Sequence, residues 1–247
     1  MDPTNKEEFD EIQKERKEYV DNIGIEYRYG CYEEKRADSC QLLGEYMEAV
    51  TQQFDRAYGL YKENCELRKY PRSCYKYAMY KLAGKYCEPS LKDMIAPLEI
   101  ACAANLPPAC RFLSLVYWNG EPDRSPDSIK AEKFMQKACE LEDAEACWLL
   151  STWYMGNKKF KIAKGGSKKD YEPGRIGQLE RNMDLALKYG KMACDLNIPQ
   201  SCANVSRMYK TGDGILKNPD LAKEYAEKAK AMVDVMKRGE NTTGYTG

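Results

Sequence analysis

Ten of the eleven cysteines form five pairs that recur along the chain, and this recurrence constrains the fold more than any other feature. The two members of a pair lie eight or nine positions apart, and the pairs follow one another at intervals of roughly 35 residues, with one longer step before the last pair. A period of this length is typical of one helix–turn–helix unit in an α-solenoid. The pairs are Cys31–Cys40, Cys65–Cys74, Cys102–Cys110, Cys139–Cys147 and Cys194–Cys202.

The clearest repeat begins with ACRFLSLVYWNG and ends with IKAEKFMQKACELEDAEAC. Its first half carries an apolar stripe at steps of three and four residues, which predicts a helix, here called the A helix. Gly120 is placed to end that helix, and Ser125 or Asp127 to cap the next one, the B helix. The predicted buried face of the B helix comprises Ile129, Phe134, Ala138 and Cys139. The sequence therefore predicts an all-α solenoid of about five helix–turn–helix repeats.

The cysteines occupy the same position in every repeat. The first member of each pair lies in the last turn of a B helix, and the second lies in the first turn of the next A helix. Because a short loop makes the two helices antiparallel, the two turns face each other at a distance that a disulfide can span. Isolated cysteines can instead be small buried apolar residues, but five pairs in one frame favour five disulfides. Cys87 lies outside the frame and is predicted to be a free thiol.

The composition excludes several classes of function. Lysine plus arginine equals aspartate plus glutamate, 39 of each, which argues against a nucleic-acid surface and a polybasic membrane patch. No apolar run approaches the roughly 18 residues of a membrane span, and the N-terminus has the features of neither a secretory signal nor a transit peptide. The chain has no histidine, so the commonest general base and metal ligand are missing, and no metal site is predicted.

Three segments depart from the repeat. Pro97 should kink its B helix or delay its start. Residues 157–180 form a basic insertion, interpreted as a solvated loop or, alternatively, as a loop that contacts a partner. The predicted organisation is an N-terminal helical cap at 1–30, a repeat solenoid at 31–238 and a disordered tail at 239–247.

Four stretches carry a resemblance to a known family: CYEEKRADSC, NCELRKYPRSCYKYAMY, NMDLALKYGKMACDL and SCANVSRMYKTGDG. They resemble Sel1-like repeats, and in particular the mitochondrial, cysteine-rich Sel1-like repeat family of cytochrome c oxidase assembly factors. The resemblance implies a non-enzymatic scaffold in the mitochondrial intermembrane space, imported through the disulfide relay machinery without a cleavable presequence. It also implies protein partners in respiratory-chain assembly, and we expect a monomer with no bound cofactor.

Two alternatives remain open at this point. Some members of the resembled family are thought to bind haem, which would suggest a haem-binding or redox chaperone. The family histidines that would ligate iron fall here at Arg111 and Trp118, so haem would need Met, Cys or Tyr ligands, for example Met155. An enzyme like the bacterial relatives with β-lactam affinity is disfavoured, because the S-D-N and K-T-G motifs are absent.

Overall fold

The computed structural model describes residues 6–120, 124–156 and 179–240, and its regular elements are helices. The chain divides into two compact units, Met1–Ala104 and Asn105–Gly247. The all-α architecture of successive helix pairs that the sequence predicts is confirmed. Within the described residues, no helix has the length and apolar character needed to cross a membrane.

Each unit is a series of antiparallel helices, and each helix packs against its neighbour in the chain. The first unit contains α1 (Lys6–Tyr32), α2 (Ala37–Tyr46), a π-helix (Met47–Thr51), α3 (Phe54–Arg68), α4 (Pro71–Ala83) and α5 (Leu91–Ala103). The second unit contains α6 (Pro107–Asn119), α7 (Ser128–Glu140), α8 (Ala144–Met155), α9 (Met183–Asp195), α10 (Pro199–Thr211) and α11 (Pro219–Glu240). The even-numbered helices are the A helices of the repeat.

The turn from a B helix to an A helix has the same design throughout. One residue between the two cysteines adopts a left-handed backbone conformation, which reverses the chain within a few residues. Several of the following A helices begin with proline, whose missing N–H is no loss in a first turn. The left-handed residues, with φ between 52° and 66°, are Lys35, Lys69, Asn105, Glu142 and Asn197.

Four of the five predicted cysteine pairs have directly bonded sulfur atoms. Their S–S distances are 2.05–2.10 Å and their Cα–Cα distances are 4.5–4.7 Å. These pairs are Cys31–Cys40, Cys65–Cys74, Cys139–Cys147 and Cys194–Cys202. The pairing of Cys102 with Cys110, which fall in different units, stays a prediction. Cys87 carries a free thiol.

Serines at one repeated position join neighbouring helices in the second unit. Ser114 in α6 donates a hydrogen bond to the Ala131 carbonyl oxygen of α7, and Ser151 in α8 donates to the Ala186 carbonyl oxygen of α9 at 2.7 Å. Ser206 in α10 repeats the contact with a carbonyl oxygen of α11 at 2.6 Å. A small residue at this position lets the helices approach closely. Ser114 and Ser151 are fully buried, and the hydrogen bond gives each of these hydroxyls a partner inside the core.

The first unit joins its helices through other residues. Asn64 of α3 donates to the Ser73 hydroxyl of α4, and Ser73 donates to the Gln41 side-chain oxygen of α2 at 2.6 Å. These two hydrogen bonds tie three helices together. Gly44 of α2 lies against the ring of the fully buried Tyr61, where a β-carbon would come within 2.4 Å of a ring carbon. The glycine therefore makes room for the tyrosine ring.

Two sequence-based expectations for α5 and α7 differ from the structure. Helix α5 starts at Leu91, directly after its Ser90 cap, and continues through the buried Pro97, so a delayed start is wrong and the alternative, a kink at the proline, stays a prediction. Ile129 is 80% exposed, because Asp127 caps α7 and the first turn directs Ile129 outward. The buried face of α7 instead comprises Ala131, Met135, Ala138 and Cys139.

The predicted domain boundaries and the structure overlap only in part. Helix α1 continues two residues past the predicted cap, through Cys31, and α11 extends to Glu240. Most of the predicted insertion, residues 157–178, and most of the predicted tail lie outside the described residues. The cap, solenoid and tail assignments stay predictions.

Two glycines of the first unit give a matched test of this packing. Gly44→Ala should lower the free energy of unfolding by about 1–3 kcal/mol, because the new methyl group collides with the Tyr61 ring. Gly59→Ala should raise it by about 1 kcal/mol, because Gly59 is a helix-interior residue and no atom lies within 4 Å of the β-carbon that alanine would add. Urea unfolding of the oxidised protein measures both, and equal effects of the two changes would contradict the packing described here.

Candidate functional site

A π-helix in the first unit presents one carboxylate to the largest aromatic cluster among the described residues. Helix α2 ends at Tyr46 and continues as the π-helix, which closes with Gln52 in a left-handed conformation. Such local widening of a helix is rare and is frequently found at functional sites, because it redirects a side chain. The side chain concerned is Glu48, which is only 19% exposed.

Glu48 is held by two neighbours on α4. The Tyr80 hydroxyl donates a hydrogen bond to one carboxylate oxygen at 2.7 Å, and the Lys76 ammonium group donates to the other at 2.7 Å. The lysine compensates the charge of the partly buried carboxylate, and both oxygens have a donor. The position and rotamer of Glu48 are therefore fixed in the folded chain.

Two buried phenols surround this carboxylate. Burial, followed by hydrogen bonding to Glu48, raises the pKa of Tyr80 well above its ordinary value. Burial, followed by the negative charges of Glu48 and Glu45, raises the pKa of Tyr61 further. The Tyr61 hydroxyl is buried and has no hydrogen-bond partner in the described part of the chain. Both phenols stay protonated at neutral pH, so neither is suited to act as a base.

An exposed pair of aromatic rings forms the outer edge of the site. Phe54 and Tyr86 stack with ring centroids 6.2 Å apart, and they are 37% and 57% exposed. Tyr86 also packs against Tyr80, which connects the exposed pair to the buried phenols. Tyr86 has a φ of 60°, a conformation that costs a non-glycine residue energy and is concentrated at functional sites.

A pocket of about 430 Å³ opens beside these rings. Glu48, Lys76, Tyr80, Met79 and Lys85 contribute to its wall, together with the Phe54–Tyr86 pair. We call this arrangement of π-helix, aromatic pair and pocket the aromatic site. Its apolar rings and flexible methionine suit contact with another protein, and its cations suit an acidic group.

The free thiol lies at the edge of the aromatic site. The Cys87 thiol donates a weak hydrogen bond to the Tyr80 carbonyl oxygen over 3.5 Å. Burial, followed by the electrostatic interaction with Cys87, raises the pKa of Tyr58 to about 12. Tyr58 packs against both Tyr77 and Tyr80. The thiol is thus adjacent to the aromatic cluster without any second cysteine available to it in the described residues.

Tyrosines of the second unit have a simpler arrangement. Each A-helix tyrosine there stacks on one aromatic residue of the following B helix, with centroids 5.7–6.0 Å apart. The pairs are Tyr117–Phe134, Tyr154–Tyr189 and Tyr209–Tyr225. Their regular recurrence indicates a packing role, whereas the larger cluster and exposed edge distinguish the aromatic site of the first unit.

The structure places the two positions that the family resemblance connects with haem on the A helix α6. The Arg111 Nε–H donates a hydrogen bond shared by both carboxylate oxygens of Asp143, at 2.9 and 3.0 Å, and its guanidinium forms an ion pair with Glu145. Trp118 stacks face to face on Trp153 with centroids 3.7 Å apart. Both side chains are therefore engaged within the second unit. The described residues contain no group of three or more cysteine, aspartate or glutamate side chains able to hold a metal ion. Haem binding through other ligands stays a prediction.

Sequence reasoning identified the cysteines but missed the aromatic site. The available signal was the density of aromatic residues between Phe54 and Tyr86, which exceeds that of the other repeats. Nothing in the local sequence distinguishes Glu48 from the other glutamates, because its importance depends on the π-helix and on side chains from α4.

Two tyrosine-to-phenylalanine changes should separate the two buried phenols. Tyr80→Phe should lower the free energy of unfolding by about 1.5–3 kcal/mol, because it removes a hydrogen bond to a charged group. Tyr61→Phe should be neutral or slightly stabilising, because it removes a buried hydroxyl that has no partner. Chemical denaturation measures both variants, and a large loss for Tyr61→Phe would show that its hydroxyl has a partner such as a bound water.

Tyr58 should contribute to a loss of stability at alkaline pH. Its pKa is about 12 in the folded chain and 10.0 without the protein environment, so the unfolded chain loses its proton first as pH rises. Stability should be unaffected by this group below about pH 10 and should fall between about pH 10 and 12. Phenolate absorbance, recorded by rapid mixing before the chain unfolds, counts the phenols that lose their proton only well above pH 10. Tyr58→Phe should have one fewer such phenol than the wild type. An unchanged number of such phenols would contradict the assignment.

Comparison with known proteins agrees with this architecture. A sequence model of the Sel1 repeat matches residues 71–92, 107–143, 166–198 and 199–234, and the third match includes part of the predicted insertion. A Sel1 repeat protein from Oxalobacter formigenes has a similar fold, with a TM-score of 0.61, 18% identity and coverage of 86% of this chain and 84% of that one. A protective antigen of uropathogenic Escherichia coli that displays an SLR fold gives a TM-score of 0.68 at 16% identity, over 83% of this chain and 40% of that one.

Similarity to curated relatives extends over most of the chain. Cytochrome c oxidase assembly factor 7 of Xenopus tropicalis is 34% identical over 225 residues, which cover 89% of this chain and 90% of the relative. Its Drosophila melanogaster homolog is 33% identical and the Homo sapiens protein is 31% identical, with at least 92% of each chain covered. The repeat, the cysteine frame and these identities show that the chain belongs to the cytochrome c oxidase assembly factor 7 family of Sel1 repeat proteins.

Proposed function

We propose that this chain is a non-enzymatic scaffold that supports cytochrome c oxidase assembly by binding protein partners in the mitochondrial intermembrane space. The observation that carries the proposal is the similarity, along about nine-tenths of the chain, to proteins named cytochrome c oxidase assembly factor 7. A mitochondrial role follows from the same relatives.

The aromatic site is the surface that we assign to partner binding. Exposed aromatic rings beside a pocket are characteristic of residues that dominate protein interfaces. Phe54 and Tyr86 are already stacked in the free chain, so a partner would not have to order them. Lys85 lines the pocket and has no ion-pair partner among the described residues, which suits a partner segment with an apolar side chain next to an acidic one.

The chemistry of the site supports binding more than catalysis. Both Glu48 oxygens already accept hydrogen bonds, and the neighbouring phenols have raised pKa values that keep them neutral. The chain has no histidine to act as a general base near pH 7. These residues fix the shape of the binding surface, and none of them is suited to transfer a proton at neutral pH.

The disulfides support the proposed compartment. Disulfides persist where thiols can stay oxidised, and the intermembrane space with its disulfide relay machinery meets this requirement. On this proposal the relay oxidises the chain on arrival, and the folded monomer is retained there. Protease treatment of intact mitochondria and of mitoplasts tests the location: the chain should be protected in the former and digested in the latter.

Removing the exposed ring pair should impair assembly without unfolding the chain. Phe54→Ser with Tyr86→Ser removes two exposed rings, so the protein should stay abundant and helical. In cells that lack the endogenous protein, this variant should restore several-fold less assembled cytochrome c oxidase than the wild type, as measured by native electrophoresis and oxygen consumption.

A double variant in the second unit provides the control. Ile129→Ser with Leu216→Ser also replaces two exposed apolar residues, which are 80% and 87% exposed. It should restore assembly fully. Full restoration by F54S/Y86S would overturn binding at the aromatic site, and failure of the wild-type chain to restore any oxidase would overturn the assembly role itself.

A further inference from the structure

A second cavity of the first unit lies on the other side of the π-helix. It is a cleft of about 680 Å³ between α1, α2 and α3, which we call the arginine cleft. Met47 of the π-helix lines it, whereas the next residue, Glu48, lines the pocket of the aromatic site. The cleft has a size that is typical of small-molecule sites, which span roughly 300–1,000 Å³.

Two arginines give the cleft a positive character. Arg28 of α1 and Arg56 of α3 both line it, and no carboxylate in the described ranges lies within ion-pairing distance of either guanidinium group. The Gln53 side-chain oxygen accepts a hydrogen bond from Arg56 at 3.0 Å, which orients that guanidinium and leaves its other N–H groups free. Glu63, the acidic residue of the lining, is 3.6 Å from Arg68.

Two tyrosines supply further donors and an apolar wall. Tyr32 and Tyr46 line the cleft, and neither hydroxyl has a hydrogen-bond partner in the described chain. The Tyr46 ring lies directly against the α1 backbone at Gly24, where a β-carbon would come within 2.5 Å of the ring. Leu43 and Leu60, both buried, form the apolar floor. The cleft therefore has hydrogen-bond donors and positive charges around an apolar floor.

Gly59 keeps the cleft open. It lies in the interior of α3, where glycine is less favourable than alanine, and its backbone does not require glycine. A β-carbon there would have no atom within 4 Å, so no helix contact explains the residue either. Any larger side chain at this position would project into the cleft, because Gly59 is part of its lining.

From these features we propose that the arginine cleft binds a small organic anion carrying a phosphate group. Each guanidinium group can donate a pair of parallel hydrogen bonds. One carboxylate has only the two oxygen atoms that a single such pair occupies, whereas a phosphate group has enough oxygen atoms to accept a pair from each arginine. The tyrosine hydroxyls complete the oxyanion contacts, and the apolar part of the ligand rests on Leu60 and the Tyr46 ring. This site is independent of partner binding at the aromatic site. The phosphate belongs to a soluble metabolite or to a lipid headgroup.

Calorimetry with inorganic pyrophosphate and flotation with vesicles test the proposal on the oxidised full-length chain. The vesicles contain phosphatidylcholine alone or with phosphatidic acid. Arg28→Gln with Arg56→Gln should weaken binding about tenfold or more, because each change removes a charge-assisted contact. Gly59→Phe should abolish binding by filling the cleft, whereas Gly59→Ala should leave it largely intact. Denaturation curves should show that both Gly59 variants are at least as stable as the wild type.

Arg72→Gln is the matched control, since Arg72 is an exposed arginine of the same unit that lies outside the cleft lining. It should bind like the wild type. Pyrophosphate binding that depends on Arg28 and Arg56 supports a soluble ligand, and binding only to the phosphatidic acid vesicles with the same dependence supports a headgroup. The proposal is overturned if the chain binds neither pyrophosphate nor the phosphatidic acid vesicles. Equal losses of affinity in R28Q/R56Q and R72Q, or wild-type affinity in Gly59→Phe, would also overturn it.

Discussion

The turn from each B helix to the next A helix is the constraint on which the repeat structure depends. One left-handed residue reverses the chain, and in four of these turns a bonded cysteine pair holds the flanking helix ends with Cα atoms 4.5–4.7 Å apart. A non-glycine residue in that conformation costs about 1 kcal/mol or more. A bridge closing so short a loop contributes about 2–3 kcal/mol in the chain-entropy model, which is enough to offset that cost. Packing of the A helices then follows from the fixed turn.

The cysteine frame made the fold readable from the sequence. It predicted helix pairs, their boundaries within a few residues and which helix ends meet. The frame did not reveal where tertiary contacts override local pattern. Ile129 continues the apolar periodicity of α7, yet the Asp127 cap starts the helix in a register that exposes it. Pro97 was expected to kink α5 or to delay its start, yet the helix begins at Leu91 and includes the buried proline. The partners of Glu48 come from α4, so only the three-dimensional structure could identify the aromatic site.

The π-helix gives the first unit two unlike cavities from one short segment. Side chains at successive positions, Met47 and Glu48, face the arginine cleft and the aromatic site. Two arginines without an ion-pair partner in the described chain and two phenols line one cavity, and stacked rings and a neutralised carboxylate line the other. A single irregular turn therefore contributes one side chain to each wall. The second unit, with its one-to-one aromatic stacks, has no π-helix in its described residues.

The serine contacts of the second unit have a mechanical consequence. Each hydroxyl reaches a carbonyl oxygen at one height on the facing helix, so sliding by one turn, about 5.4 Å, would separate every donor from its acceptor. A small tilt about the serine keeps the bond and changes only the distances at the helix ends. Within this unit, helix pairs therefore resist axial displacement while tolerating bending. In such a stack the angle between paired helices can change while their relative height along the helix axes stays constant.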